Sequence, residues 1–182
     1  MVVFKNAKTA ERAAILRDHG MSKTKRYWHE EVGFNYRLTN LQAAIGVAQL
    51  EKVDFIVNKK LWLASLYQKH LSGITQIQLP MKPKGNNSIN SYWLYTIILR
   101  PEYINKRQKL LDYLENHGIE SRPVFLPMHR MPPYQQYRLS NQNYNCANQI
   151  SDGGVSLPSS VSITENEIMR VCSTLRAALL IE

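Results

Sequence analysis

Gly33-Phe34-Asn35-Tyr36-Arg37-Leu38-Thr39-Asn40-Leu41-Gln42-Ala43-Ala44-Ile45-Gly46-Val47-Ala48-Gln49-Leu50-Glu51 joins a glycine-led polar loop to a helix. Thr39 and Gln42 stand at capping-box spacing, with Thr39 as N-cap. Apolar residues continue downstream at Val53, Ile56, Val57, Leu63, Ala64 and Leu71, mostly at helical spacing. Gly73 can then supply a left-handed C-terminal residue. An unbroken helix over 40–71 would be about 48 Å long at about 1.5 Å per residue. That exceeds the usual helix of a compact domain. The pattern therefore predicts a helix that bridges two bodies, or one that breaks near Val57-Asn58, with a domain boundary in or near it.

Upstream, Met1-Val2-Val3-Phe4 reads as a short buried strand. A helix is expected from Ala7 to Asp18, stopped by Gly20. Residues 21–32 form a polar loop carrying Tyr27, Trp28 and His29. Downstream, 80–90 is rich in turn formers. Ser91–Leu99 and Ile119–Phe125 read as strands, with a helix over Lys106–Asn116 stopped by Gly118. Pro127, Pro132 and Pro133 impose an irregular loop around His129. A short helix is expected over 141–151, and a last one from Thr164 to about Leu180, with Thr164 and Glu167 as capping box. From about residue 75 onward the chain thus reads as a small α/β domain with a mainly antiparallel sheet.

The composition excludes several classes. Hydrophobic residues make up 44% of the 182, which suits a folded globular chain. No apolar run approaches the ~18 residues of a membrane span, and the first residues lack a signal-peptide core. A cytoplasmic location without a membrane partner is the expectation. Cys146 and Cys172 match neither a disulfide framework nor a metal spacing. The net charge of +9 invites a nucleic-acid reading, but the basic residues are scattered. A phosphate-bearing small ligand accounts for a positive surface equally well.

Two segments concentrate chemistry. Asn35, Tyr36 and Arg37 precede a helix N-terminus, where backbone N–H groups and the dipole favour anions. Asn35 can donate to a phosphate oxygen, and Arg37 can grip phosphate or carboxylate with two parallel bonds. Both can equally tie down a loop, and residue types alone leave the two readings open. Arg122-Pro123-Val124-Phe125-Leu126-Pro127-Met128-His129 can present His129 rigidly to a ligand, or simply pack it. Tyr27, Trp28 and His29 can stack on a base or sugar, or staple their own loop.

Three blocks resemble the DegT/DnrJ/EryC1/StrS family of sugar aminotransferases. They are Tyr27-Trp28-His29 with the 33–51 stretch, Ser91-Tyr92-Trp93-Leu94-Tyr95 with Arg122–His129, and Leu157-Pro158-Ser159-Ser160. The resemblance spans essentially the whole chain and is strongest to members acting on a nucleotide-linked 4-keto-6-deoxy sugar. It implies an α/β chain with the type I pyridoxal-phosphate-dependent aminotransferase fold. More narrowly, it implies the C-terminal part of that fold: residues 1–55 as the end of the large cofactor-binding domain, and 56–182 as the small C-terminal domain.

The cofactor implied is pyridoxal 5′-phosphate. The reaction is transfer of an amino group from glutamate to the keto sugar, in a homodimer. Asn35 would reach the cofactor phosphate across the dimer, while His29, Tyr36, Arg37 and His129 would line the substrate side. Leu126-Pro127 departs from the Tyr-Pro of many relatives, which removes a hydroxyl there. In the family the Schiff-base lysine lies ahead of a strand like Met-Val-Val, where this sequence begins; Lys5 falls after it. No catalytic residue is therefore assigned within the chain, and these residues alone are expected to be inactive. The alternative is a non-catalytic sugar-nucleotide-binding or assembly module.

Overall fold

The computed structural model describes residues 2–81, 88–139 and 142–180. The chain divides into two compact units, Met1–Val53 and Asp54–Glu182.

In the first unit, α1 spans Ala7–Arg17. Asn6 starts it by accepting the N–H groups of Lys8 and Thr9 on its side chain, which satisfies two donors the helix cannot. His19 (φ 60°) and Gly20 (φ 69°) end it by turning the chain through left-handed backbone. The chain returns through single bridges, Met21 to His29 and Asp18 to Asn35. It then enters α2, Asn40–Leu50, where Thr39 and Gln42 form the expected capping box. Among the described residues of this unit only Gly20 is buried. Residues 2–4 are not the expected strand: no strand pairs with them, and Val2 and Val3 stand exposed. Apolar character alone does not make a ladder. Met1, also assigned to that strand, lies outside the described residues.

The predicted long helix breaks, but at Glu51-Lys52 rather than near Val57-Asn58. The Lys52 amide bonds to the Gln49 carbonyl, one residue short of α-helical reach, and the turn tightens. A new helix, α3, runs Val53–Leu71.

The second unit carries the core. α3 buries Leu63, Ala64, Leu66, Tyr67 and Leu71, and Gly73 (φ 83°) lets the chain leave it. Four strands follow: β1 (Ile77–Gln78), β2 (Tyr95–Leu99), β3 (Arg122–Pro123) and β4 (Gly154–Leu157). They pair antiparallel in the order β1-β2-β4-β3, with Ile97 opposite Val155 and Arg122 opposite Ser156. In β2, Tyr95, Ile97 and Leu99 are fully buried and alternate with half-buried Thr96 and Ile98. Every residue of β4 is buried. α4 (Arg107–Asn116), α5 (Asn145–Gly153) and α6 (Glu165–Leu180) complete the unit. Leu110, Leu111 and Leu114 of α4 join Ile168, Val171 and Leu175 of α6 in one cluster with the inner residues of the sheet.

Several boundaries differ from expectation. β2 starts only at Tyr95, because Tyr92 adopts φ 45° and interrupts extended backbone. The strand expected over Ile119–Phe125 shrinks to two residues, since Pro123 lacks the N–H a longer ladder needs. A turn of 3-10 helix, Pro101–Lys106, precedes α4. α5 lies a few residues later than the predicted 141–151, and residue 141 is outside the described residues, as are 82–87 of the predicted 80–90 loop. Thr164 caps α6 as predicted: its N–H and hydroxyl donate to Glu167 Oε2 and hold that carboxyl below its ordinary value.

Candidate functional site

The five candidate residues fall into two groups. His29, Asn35, Tyr36 and Arg37 belong to the first unit, and His129 belongs to the second.

The first group is assembled around the turn Asp18-His19-Gly20. The His19 amide donates to the Phe34 carbonyl at 2.8 Å, and the His19 carbonyl contacts His29 Nδ1 at 2.9 Å. A carbonyl only accepts, so the proton sits on Nδ1. Gly20 and Gly33 pack backbone against backbone. A Cβ on Gly20 would lie 1.8 Å from the Glu31 carbonyl oxygen, and one on Gly33 would lie 2.0 Å from the Gly20 nitrogen. Two residues without side chains thus bring the His29 and Asn35 segments onto one turn.

Within that frame, Arg37 Nε lies 3.3 Å from Asp18 Oδ1. The contact is an ion pair without hydrogen-bond geometry, so the buried Oδ1 has no hydrogen-bond donor among the described residues. The ring of Tyr36 stacks on Phe34 at 5.2 Å. Asn35 is fixed by its backbone bridge to Asp18, while its carboxamide is exposed and bonds to none of the described residues. The first turn of α2, just beyond, contains no acidic residue. An unengaged amide beside an acid-free helix start fits a phosphate. These residues therefore fit the phosphate end of a pyridoxal cofactor. Ahead of them, Lys25 lies over the Trp28 ring at 4.1 Å and Arg26 over Tyr27 at 4.9 Å, so the aromatic pair is engaged by its own loop.

In the second unit, the proline-bounded segment forms two 3-10 turns, Met128–Arg130 and Pro132–Tyr137. His129, Arg130, Gln135 and Arg138 line a cavity of about 460 Å³. His129 Nε2 donates to Asn148 Oδ1 at 2.9 Å, and its ring stacks on Tyr144 at 4.2 Å. A second cavity, of about 430 Å³, includes Lys60, Arg122 and Ser160. Lys60 Nζ donates to the carbonyls of Trp93, at 3.0 Å, and Ser159, and burial holds its ammonium below the ordinary lysine value. Tyr144, Asn148, Arg130, Arg138 and Lys60 were not marked by the sequence motifs. The available signal was the four-residue spacing of Tyr144, Asn148 and Asp152. Among the described residues no cluster of His, Cys, Asp and Glu could hold a metal, and no helix is long and apolar enough to cross a membrane.

The chain is 38% identical over 178 residues to GDP-perosamine synthase of Vibrio cholerae, covering 97% of this chain and 47% of that protein. It is 29% identical over 178 residues to a putative pyridoxal phosphate-dependent aminotransferase, EpsN, of Bacillus subtilis, covering 96% of this chain and 45% of the relative. The crystal structure of S. venezuelae DesV superimposes with a TM-score of 0.82 at 27% identity, over 99% of this chain and 47% of that one. The chain spans about half the length of the curated relatives it matches. The model of the DegT/DnrJ/EryC1/StrS aminotransferase family matches residues 1–176, and the chain belongs to that family, with the C-terminal part of its type I aminotransferase fold.

Proposed function

We propose that these residues serve a pyridoxal-phosphate-dependent aminotransferase that moves an amino group from glutamate to a nucleotide-linked 4-keto-6-deoxy sugar, as a GDP-perosamine synthase does. The likeness to the Vibrio cholerae enzyme along nearly the whole chain carries this reading. The Asn35 loop supports it, because it offers an unengaged amide at a helix start. When bound, the cofactor supplies the electron sink for amino transfer. The residues of this chain bind and orient. Asn35 donates to the cofactor phosphate, reaching the site of a second copy in a homodimer. His29, Tyr36, Arg37 and His129 face the sugar nucleotide. Residues 1–55 belong to the end of the cofactor domain and 56–182 to the small domain. The enzyme works in the cytoplasm, and its product serves polysaccharide synthesis such as that of an O-antigen.

The test is to fuse residues 1–182 to the N-terminal half of the Vibrio cholerae GDP-perosamine synthase and to incubate the purified hybrid with pyridoxal 5′-phosphate, glutamate and GDP-4-keto-6-deoxymannose. Mass spectrometry should find the amino sugar nucleotide and 2-oxoglutarate in equal amounts. Binding of the sugar nucleotide without either product would identify a non-catalytic binding module and overturn the reading.

A further inference from the structure

One face of α5 holds two consecutive residues of the His129 loop. Tyr144, the N-cap, Asn148 and Asp152 recur at intervals of four and so stand in one row. Each contacts the turn Met128–Arg130. Tyr144 stacks on the His129 ring at 4.2 Å with 15° between the planes. Asn148 Oδ1 accepts from His129 Nε2 at 2.9 Å. Asp152 Oδ1 accepts from Arg130 Nη1 at 2.5 Å. A stack fixes the plane of the imidazole, and a hydrogen bond fixes its rotation and places the proton on Nε2. Nδ1 is then the ring's remaining polar atom. Asp152 engages one of Arg130's five N–H donors and orients the rest.

These two oriented residues form half the lining of the 460 Å³ cavity, with Gln135 and Arg138 as the others. That lining brings two guanidinium groups, an imidazole and an amide together, and it includes no carboxylate. Guanidinium forks match the paired oxygens of phosphate. A group with several phosphate oxygens can accept from both guanidiniums and the amide at once, and from His129 Nδ1 when the imidazole carries both protons.

We propose that the Tyr144–Asn148–Asp152 face of α5 is a positioning device that holds His129 and Arg130 to receive the diphosphate of a nucleotide-linked substrate in this cavity. The proposal rests on the reading that His129 lies on the substrate side. Tyr144, Asn148 and Asp152 are positioning residues, since they act through the two residues they hold.

The experiment titrates the full chain with inorganic pyrophosphate and with guanosine diphosphate, followed by NMR at the His129 ring and the Arg130 and Arg138 Nε–H groups. Both probes should shift these signals. Asn148→Ala and Asp152→Ala should each weaken binding by roughly tenfold or more, since each frees a side chain that the cavity presents to the diphosphate, while Asp152→Asn, which keeps the Oδ1 acceptor, should not. Tyr144→Ala should weaken it too, while Tyr144→Phe, which keeps the stack, should bind like the parent. A merely structural role would lower the urea midpoint of the variants and leave the dissociation constants of their folded forms alone.

No shift at these three residues with either probe would overturn the proposal, as would unchanged dissociation constants in Asn148→Ala and Asp152→Ala. The amination assay separates the two readings. Diphosphate binding that depends on the α5 face, without amination, keeps this proposal and sinks the enzymatic one. Amination with parental KM in all three weakening variants does the reverse.

Discussion

Asn35 is held by its backbone, through the bridge to Asp18, while its carboxamide bonds to none of the described residues. Asn35→Ala should therefore leave the loop in place and remove only what the amide offers a ligand. One hydrogen bond to a charged phosphate is worth roughly 1.5–3 kcal/mol, so cofactor affinity in the loaded enzyme should fall by roughly 10- to 150-fold. An unchanged dissociation constant for pyridoxal 5′-phosphate would remove Asn35 from the site. Gly20 is the opposite kind of residue. Its φ of 69° and the 1.8 Å approach of the Glu31 carbonyl to a would-be Cβ leave no room for alanine. Gly20→Ala should cost roughly 1–3 kcal/mol locally. Hydrogen exchange at the Glu30 amide, which bonds to the Gly20 carbonyl, should rise accordingly, and no change there would refute the close-packing account. The sequence marked Gly20 only as a helix stop and Gly33 only as a loop residue. That they need each other is a fact of tertiary approach, which no local pattern encodes. For Arg37 the residue type left two roles open, and its pairing with Asp18 now gives the loop-tying one a partner.

At the scale of elements, legibility followed the locality of the cause. The caps at Thr39 and Thr164 were readable because the donors and acceptors lie three residues apart. β4 was not, because Gly154–Leu157 is short, opens on glycine, and becomes a central strand only through neighbours β2 and β3 from elsewhere in the chain. Gly154 is required there: a Cβ would sit 2.3 Å from Val124 Cγ2. Likewise the break at Glu51-Lys52 turns on a single hydrogen bond rather than on a helix-breaking residue type. The elements also differ in what covers them. α2 exposes Leu41, Ile45, Val47 and Leu50, whereas β2 and β4 bury their apolar residues against α3, α4 and α6. Amide exchange should therefore be fast in α2 and slow in the β2–β4 ladder, since opening a poorly covered helix costs little. Mass-spectrometric exchange on the monomeric chain checks this. Equal protection of 40–50 and 95–99 would contradict it.

For the molecule as a whole, stability should decline in alkali. Burial pushes the Tyr67 and Tyr95 phenols above their ordinary 10.0, with Cys172 adding to the shift of Tyr67 and Tyr92 to that of Tyr95. Burial also raises the Cys172 thiol from 9.0 to about 12, against the pull of Arg176. The folded chain thus keeps protons that the unfolded chain gives up. The associated stability is whole below about pH 9 and is lost as pH climbs from about 9 toward 12. Lys60 works the other way, since its lowered value favours the fold as pH rises, but it is only partly buried and stands alone against three groups. The urea midpoint at about pH 11 should accordingly fall below that at about pH 8, and an unchanged midpoint would show that this aromatic–thiol cluster is solvated. The sheet itself has a further consequence. Both of its outer strands, β1 and β3, are two residues long, and β3 contains Pro123. Such edges give an incoming strand almost nothing to pair with. Protein lost from solution on heating should therefore clump through greasy side chains into shapeless precipitate, and seeded growth of ordered fibrils from this sheet has nowhere to begin.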